Sequence, residues 1–231
     1  MLRAFGQLRC ERCGATTALD WPGAREPLRA PLVRAQSVRT ANRICTLGEA
    51  ARRRARRRLA LRIARVAPPG PVLDVGSGDR TLLDALRATG RLATGIAPRR
   101  PDADPRGEIR GAEITELGGR YAAIVFWQSL GCLRAPAAAL DHAAALLKPG
   151  GLLAIAQPST ARLQARALGE RLLAPGAPRH RVVIPPQTLI ERLDALGLHV
   201  DRIDHLLDDL PTPGGWLQSL LGGMTAIEAR R

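Results

Sequence analysis

Residues 72–86, VLDVGSGDRTLLDAL, bring a carboxylate, two glycines and a helix start within a few positions of one another. Val72–Val75 reads as a buried strand, Gly76 and Gly78 as a turn stripped of side chains, and the stretch from about Asp79 to Ala88 as a helix. A glycine turn at a strand end lets main chain approach a ligand, and the helix behind it aims its first amide groups at the same spot. On its own this pattern points to a ligand at the turn without naming it. A phosphate-cradling P-loop is ruled out because GxxxxGK[ST] is absent, and a dinucleotide loop would want glycine at Thr81 and an acid about twenty residues on. Arg80 stands where such loops carry a small residue. A cation at the first helical turn opposes the dipole; turned inward it would crowd a positive ligand, turned outward it is harmless. Asp79 beside it is expected to cap the helix.

A second group of reactive residues is Cys10-Glu11-Arg12-Cys13-Gly14, which has the spacing of half a zinc ribbon. A structural zinc site needs four ligands. Downstream only Cys45 precedes the main domain, and no histidine occurs before His142. Residues 1–48 are therefore read as an N-terminal extension carrying a degenerate ribbon, with no metal assigned. With four cysteines and no signal segment there is no disulfide framework, so the cysteines are read as thiols.

The elements that must position these residues alternate from Pro68 onward. Strands are expected at Val72–Val75, Leu92–Ile96, Ile109, Ala122–Trp127 and Gly151–Gln157. Helices are expected at Ala135–Leu147, Thr160–Leu173 and Pro186–Leu196, with LHVDRIDHL closing the series. Lys148, Pro149 and the Gly150-Gly151 turn stop a helix and start a strand. AAIVFW is uncharged, as suits a strand covered on both faces. The pattern predicts an α/β fold: a mostly parallel, Rossmann-like sheet with helices on both faces, binding ligands beyond the carboxyl ends of its strands.

Charge is distributed unevenly. Of the formal net charge of +14, residues 1–66 hold +12, from sixteen arginines against four acids. EAARRRARRRLALRIARV spaces Ala51, Ala55, Leu59, Ile63 and Val66 as the inner stripe of a helix, so that Arg52–Arg58 cover its outer face. A solvated face is the simpler reading. Binding of nucleic acid or another anionic surface is the sharper one, and an aromatic content of 3% argues against base stacking. The longest uncharged apolar run, Tyr121–Leu133, is too short for a transmembrane segment. The opening MLRAFGQLRCER lacks the apolar core of a signal peptide, so a cytoplasmic protein is expected.

DVGSG after a buried strand, YAAIVFWQSL, and LLKPGGLLAIAQP together resemble the class I S-adenosylmethionine-dependent methyltransferases in content and order. The likeness runs from about Glu49 to Met224. PRH at 178–180, PPQTLIERLDALGLHVDRI and GWLQSLL resemble the small-molecule branch related to quinone-biosynthesis methyltransferases. The resemblance implies S-adenosylmethionine as cofactor and a small organic acceptor. By the same resemblance Asp74, Gly76, Ser77 and Gly78, followed by Asp79, hold the methionine part, with Asp74 facing its ammonium. Glu113 and Ile114 match the acid and the apolar residue that contact adenine, and Trp127 would wall the adenine or acceptor pocket.

Several positions depart from the family pattern. Ala97 stands where an acid accepts both ribose hydroxyls, a loss of about 1.5–3 kcal/mol, or roughly tenfold to a hundredfold in affinity. Relatives carry a histidine and an acid where this chain has Gln128 and Gly131, and Cys132 occupies a second histidine position. A sulfonium is a good methyl donor, so alignment matters more than a strong base. If a hydroxyl is methylated, His180 or Cys132 would take its proton and Gln128 would orient the acceptor. The second reading keeps the fold as a binding or regulatory module without catalysis, working through the basic helix.

Overall fold

The computed structural model describes residues 2–4, 7–18, 42–78, 80–97, 109–158, 181–207 and 223–231. Short strands β1 (Leu2–Ala4), β2 (Gln7–Arg9) and β3 (Thr16–Ala18) open the chain, followed by helix α1 (Asn42–Val66). Strand β4 (Val72–Val75), helix α2 (Thr81–Arg87), strands β5 (Ala93–Ile96) and β6 (Ile109–Arg110), and strand β7 (Tyr121–Trp127) come next. Helix α3 (Pro136–Leu146), strands β8 (Leu147–Pro158) and β9 (Val182–Val183), helix α4 (Pro186–Ala195), and strands β10 (His199–Leu207) and β11 (Gly223–Arg230) complete it.

The main sheet has seven strands in the order β10-β11-β8-β7-β4-β5-β6. The pairs from β8 to β6 are parallel, while β11 is antiparallel to both its neighbours, so a single strand opposes the other six. Alternation along each strand feeds two cores. Leu73, Val75, Ile124, Phe126, Leu153 and Ile155 meet α3 and α4 on one face. Val72, Ala123, Val125, Leu152 and Ala154 meet α1 and α2 on the other. The two-residue period of the strands thus builds a three-layer sandwich with the sheet as its middle.

Helix α1 begins at Asn42, well before the arginine run. Ile63 is buried as its spacing predicts, joined by Ala60, while Leu59 and Val66 are half-buried. Arg62 pairs with Glu228 of β11, tying the helix to the sheet. Arginines also close helix ends, where carbonyls lack intrahelical partners. Arg91 donates to Ala64, Ala67 and Pro68 oxygens at 2.9, 2.7 and 2.6 Å behind α1. Arg231 and Arg120 converge on the oxygens of Ala145 and Leu147 at the end of α3.

One expectation needs correction. The series does not close at β10: residues 223–230 form β11, inserted between β8 and β10, with Ile227 and Ala229 buried. The stretch MTAIEAR is rich in helix formers, and burial on both faces overrides that propensity. Within the extension, β1-β2-β3 form an antiparallel ribbon that β9 extends. The helix expected at Thr160–Leu173 lies outside the described residues.

Candidate functional site

The carboxyl ends of β7, β4, β5 and β6, neighbours in that order, place Gln128, the Gly76–Gly78 turn, Ala97 and Glu113 along one rim of the sheet. The sequence expects a ligand at this rim. Asp74, only 5% exposed, is held by the Ser77 hydroxyl, which donates to its Oδ2 at 2.8 Å. The Ser77 hydroxyl thus orients this buried carboxylate at the end of β4.

The two glycines serve different ends. A Cβ on Gly76, whose φ is +80°, would lie 2.3 Å from the Ser129 Cβ, and the Ser129 hydroxyl donates to the Val75 oxygen. The bare backbone at Gly76 therefore admits a side chain of the protein itself, where the sequence reading gave that room to a ligand. Its amide and that of Ser77 both donate to the Ile96 oxygen, at 2.7 and 2.9 Å. Gly78 is exposed and has nothing within 4 Å of a Cβ position, so it is the open point of the turn. Gly95 on β5 performs a similar service inside the sheet, admitting Ser77, whose Cβ and Oγ would lie 2.7 Å from a Cβ there.

Arg80 is the N-cap of α2 in the left-handed region, φ 64°, and makes no side-chain cap hydrogen bond; its Nη2 is shielded from solvent. The capping position thus falls on Arg80. Asp79, expected there, lies outside the described residues.

At the β5 end Ala97 is half-buried, its amide donating to the Arg110 oxygen at 3.0 Å, and no carboxylate stands in its place. Glu113 precedes a one-turn helix, Ile114–Glu116, and its amide donates to Glu116 Oε2 at 3.1 Å. Ile114 is 1% exposed and belongs to the α3-side core, and Trp127 is half-buried against the α1-side core.

The turn after β7 carries the remaining candidates. Gln128 has φ 55°, and its amide donates to the Ala156 oxygen at 2.8 Å. The Cys132 thiol donates to the Gln128 oxygen at 3.6 Å, which braces the turn. His180 lies outside the described residues; Arg181, which follows it, donates from its amide to the Gly131 oxygen at 2.6 Å. Two residues missed by sequence reasoning matter here. One is Ser129. The other is Gln157, buried at the end of β8, whose Nε2 donates to the Ile184 oxygen at 2.6 Å and fixes the approach to β9.

Cys10 and Cys13 flank a tight turn in which the Gly14 amide donates to the Cys10 oxygen at 2.8 Å. The turn rests on α4 through the Thr188 hydroxyl, 2.7 Å from the Cys13 oxygen. Hydrogen bonds from Cys13, first its amide and then its thiol, and from the Arg12 amide hold the Cys10 thiol below its usual pKa. Among the described residues no group of three or more histidines, cysteines or acids could hold a metal ion.

A hollow of about 240 Å³, lined by Pro71, Leu73, Thr94, Ile96, Arg110 and Tyr121 among others, lies along the sheet face. It includes none of Asp74, Gly76 or Gly78, and it runs from Ile96 and Arg110, at the carboxyl ends of β5 and β6, toward the amino ends of β4 and β7.

Among proteins of curated function, none matches the chain. Solved structures do. A SAM-dependent methyltransferase from Archaeoglobus fulgidus superposes with a TM-score of 0.60 at 16% identity, covering 80% of this chain and 98% of that one. Magnesium protoporphyrin IX methyltransferase from Synechocystis PCC 6803, with bound SAH, gives 0.60 at 17% identity and covers 84% and 89%. The Burkholderia thailandensis 1,6-didemethyltoxoflavin-N1-methyltransferase, solved with 1,6-didemethyltoxoflavin and S-adenosylhomocysteine, gives 0.55 at 20% identity and covers 79% of each chain. These likenesses establish the class I fold, and the strand order above is the one expected for it. A family model described as a methyltransferase domain matches residues 49–203, most of the chain, from the first third of α1 into β10. By that match the chain belongs to the methyltransferase domain family.

Proposed function

We propose that the protein transfers a methyl group from S-adenosylmethionine to a small organic acceptor at the rim formed by Gln128, Gly78, Ala97 and Glu113. The observation that carries this reading is the buried Asp74 carboxylate, oriented by Ser77 beside the open backbone at Gly78. An anionic acceptor set in low dielectric suits an α-ammonium group. The residues present fit the amino-acid end of the cofactor. At the ribose end Ala97 supplies no carboxylate, and Glu113 keeps its expected role at the adenine. Solved structures of this fold hold bound S-adenosylhomocysteine, and one also holds 1,6-didemethyltoxoflavin, which supports the same assignment.

When bound, the cofactor supplies an electrophilic methyl group on sulfonium. The chain's part is to hold and align. Asp74 anchors, Gly78 lets the main chain come close, and the side-chain amide of Gln128 orients an acceptor. Cys132, with its thiol donating to the Gln128 oxygen, serves as the brace of that turn. If the acceptor is a hydroxyl, proton removal falls to His180 or to the Cys132 thiol.

The second reading, a methyltransferase fold kept for binding alone, is favoured by Ala97. Calorimetry of the full chain with S-adenosylmethionine and S-adenosylhomocysteine separates the two. The proposal expects heat of binding and a loss of at least about tenfold in affinity for Asp74→Asn. Neither heat nor a thermal shift at about 1 mM ligand, an affinity of only some 4 kcal/mol, would end it.

A further inference from the structure

We infer that the outward face of α1 docks the protein on an anionic lipid surface, Arg54, Arg57 and Arg58 meeting headgroup phosphates and Leu61 entering the apolar boundary between them. Arg53, Arg54, Arg57, Arg58 and Arg65 are exposed along this face. Among the described residues, Arg54, Arg57, Arg58 and Arg65 engage no acid, in contrast to Arg62, which spends its charge on Glu228. At 100° per residue Leu61 falls in the middle of the cationic band, and it is 53% exposed. The inner face of the helix is already used by Ala60 and Ile63, so the arginines are not there to shield an apolar stripe.

The location of this face gives it a direction. Arg91, just before β5, binds the carbonyls behind α1, so the end of α1 lies at the amino edge of the parallel strands. Arg62 meets Glu228, which pairs with Ala154, which pairs with Val125, which pairs with Asp74. The helix therefore reaches the row of Asp74 at Arg62 and runs on toward its own start. Arg54 lies eight positions further, about 12 Å along the axis, at or past the carboxyl rim. Docking by this face would hold the mouth of the crevice close to the surface.

An anionic bilayer offers both components of the patch a partner: phosphates for the guanidinium groups and an apolar boundary for Leu61. A nucleic acid backbone would use the arginines but leave Leu61 without one. No aromatic residue occurs anywhere in α1 to stack on a base. The inference goes beyond methyl transfer and stands whether or not the cofactor binds.

The test is co-sedimentation of the full chain with vesicles of phosphatidylcholine alone or mixed with phosphatidylglycerol, at low and high salt. Binding to the mixed vesicles only is expected, weakened by salt. The triple variant Arg54→Gln, Arg57→Gln, Arg58→Gln should bind roughly a hundredfold more weakly. Leu61→Ser, which removes no charge, should weaken binding several-fold and keeps the test decisive if the triple variant melts early. No binding to mixed vesicles at low salt, equal binding to neutral ones, or unchanged binding by both variants would overturn the inference. So would tighter binding to duplex RNA or DNA than to vesicles at the same salt.

Discussion

Ser129 fills the space that a side chain at Gly76 would need: a Cβ there would sit 2.3 Å from the Ser129 Cβ, and the Ser129 hydroxyl bonds the oxygen of Val75 next door. Two turns, one after β4 and one after β7, are locked together by this fit. Gly76→Ala should therefore destabilise the protein by about 1–3 kcal/mol through overpacking, with the left-handed φ of +80° adding to the cost. Ser129→Gly in the same chain should recover only the steric part. Urea denaturation of the three variants measures it, and a Gly76→Ala midpoint equal to wild type would contradict the close packing.

Restoring the acid at the β5 end offers the most direct check on where a ribose would lie. Ala97→Asp should tighten S-adenosylhomocysteine binding by roughly tenfold to a hundredfold, the value of a charge-assisted hydrogen bond pair. Titration calorimetry on wild type and variant reads it. An unchanged affinity would move the ribose away from the Arg110-bonded amide of Ala97.

The Arg62–Glu228 pair joins α1 to β11, and Glu228 keeps only 8% of its side chain exposed. Arg62→Ala leaves that carboxylate buried without its cation and should cost about 1–3 kcal/mol. Arg62→Leu with Glu228→Leu should cost much less, since no charge is then stranded. Should the double variant prove the less stable of the two, the pair would be a net stabiliser rather than a well-matched burial.

Cys10 should be alkylated at lower pH than an ordinary thiol. Its thiolate form is held by donors from Cys13 and Arg12, so the rate should rise with pH through a midpoint below the usual value and level off above it. Cys13→Ala keeps the amide donor and loses the thiol, moving the midpoint part of the way back up. Peptide mapping after timed alkylation follows Cys10 alone; a profile like that of free cysteine would mean that these bonds do not persist in solution.

Strands β4, β5 and β7 were legible because runs such as VLDV and AAIVFW combine β-branched and aromatic residues with sharp glycine or proline borders. Lys148-Pro149-Gly150-Gly151 marked the passage from helix to strand, although β8 already begins at Leu147, ahead of the expected start at Gly151. Strand β11 was not legible, since Met224, Ala226, Glu228 and Ala229 favour a helix until neighbours on both sides demand a strand. The three-residue strands of the ribbon are too short to show a period, and β9 exists only by pairing with β3. In the site, Asp74 and Gly78 could be read from local pattern. Ser129 could not, because its meaning depends on a glycine on a different strand. Gln128 in a left-handed turn and Cys132 bonded to its oxygen were equally hidden, as side-chain type says little about the backbone it stands on.

The antiparallel strand between β8 and β10 also has a bearing on biosynthesis. Residues 199–207 reach the sheet only through residues 223–230, which leave the ribosome later. Until they emerge, the edge of β8 and the whole of β10 carry unsatisfied amides and carbonyls, the template on which nascent chains associate with one another. Slow translation of that interval would lengthen the exposure, so yield of native protein should depend on how quickly, or under what chaperone cover, the intervening strand arrives.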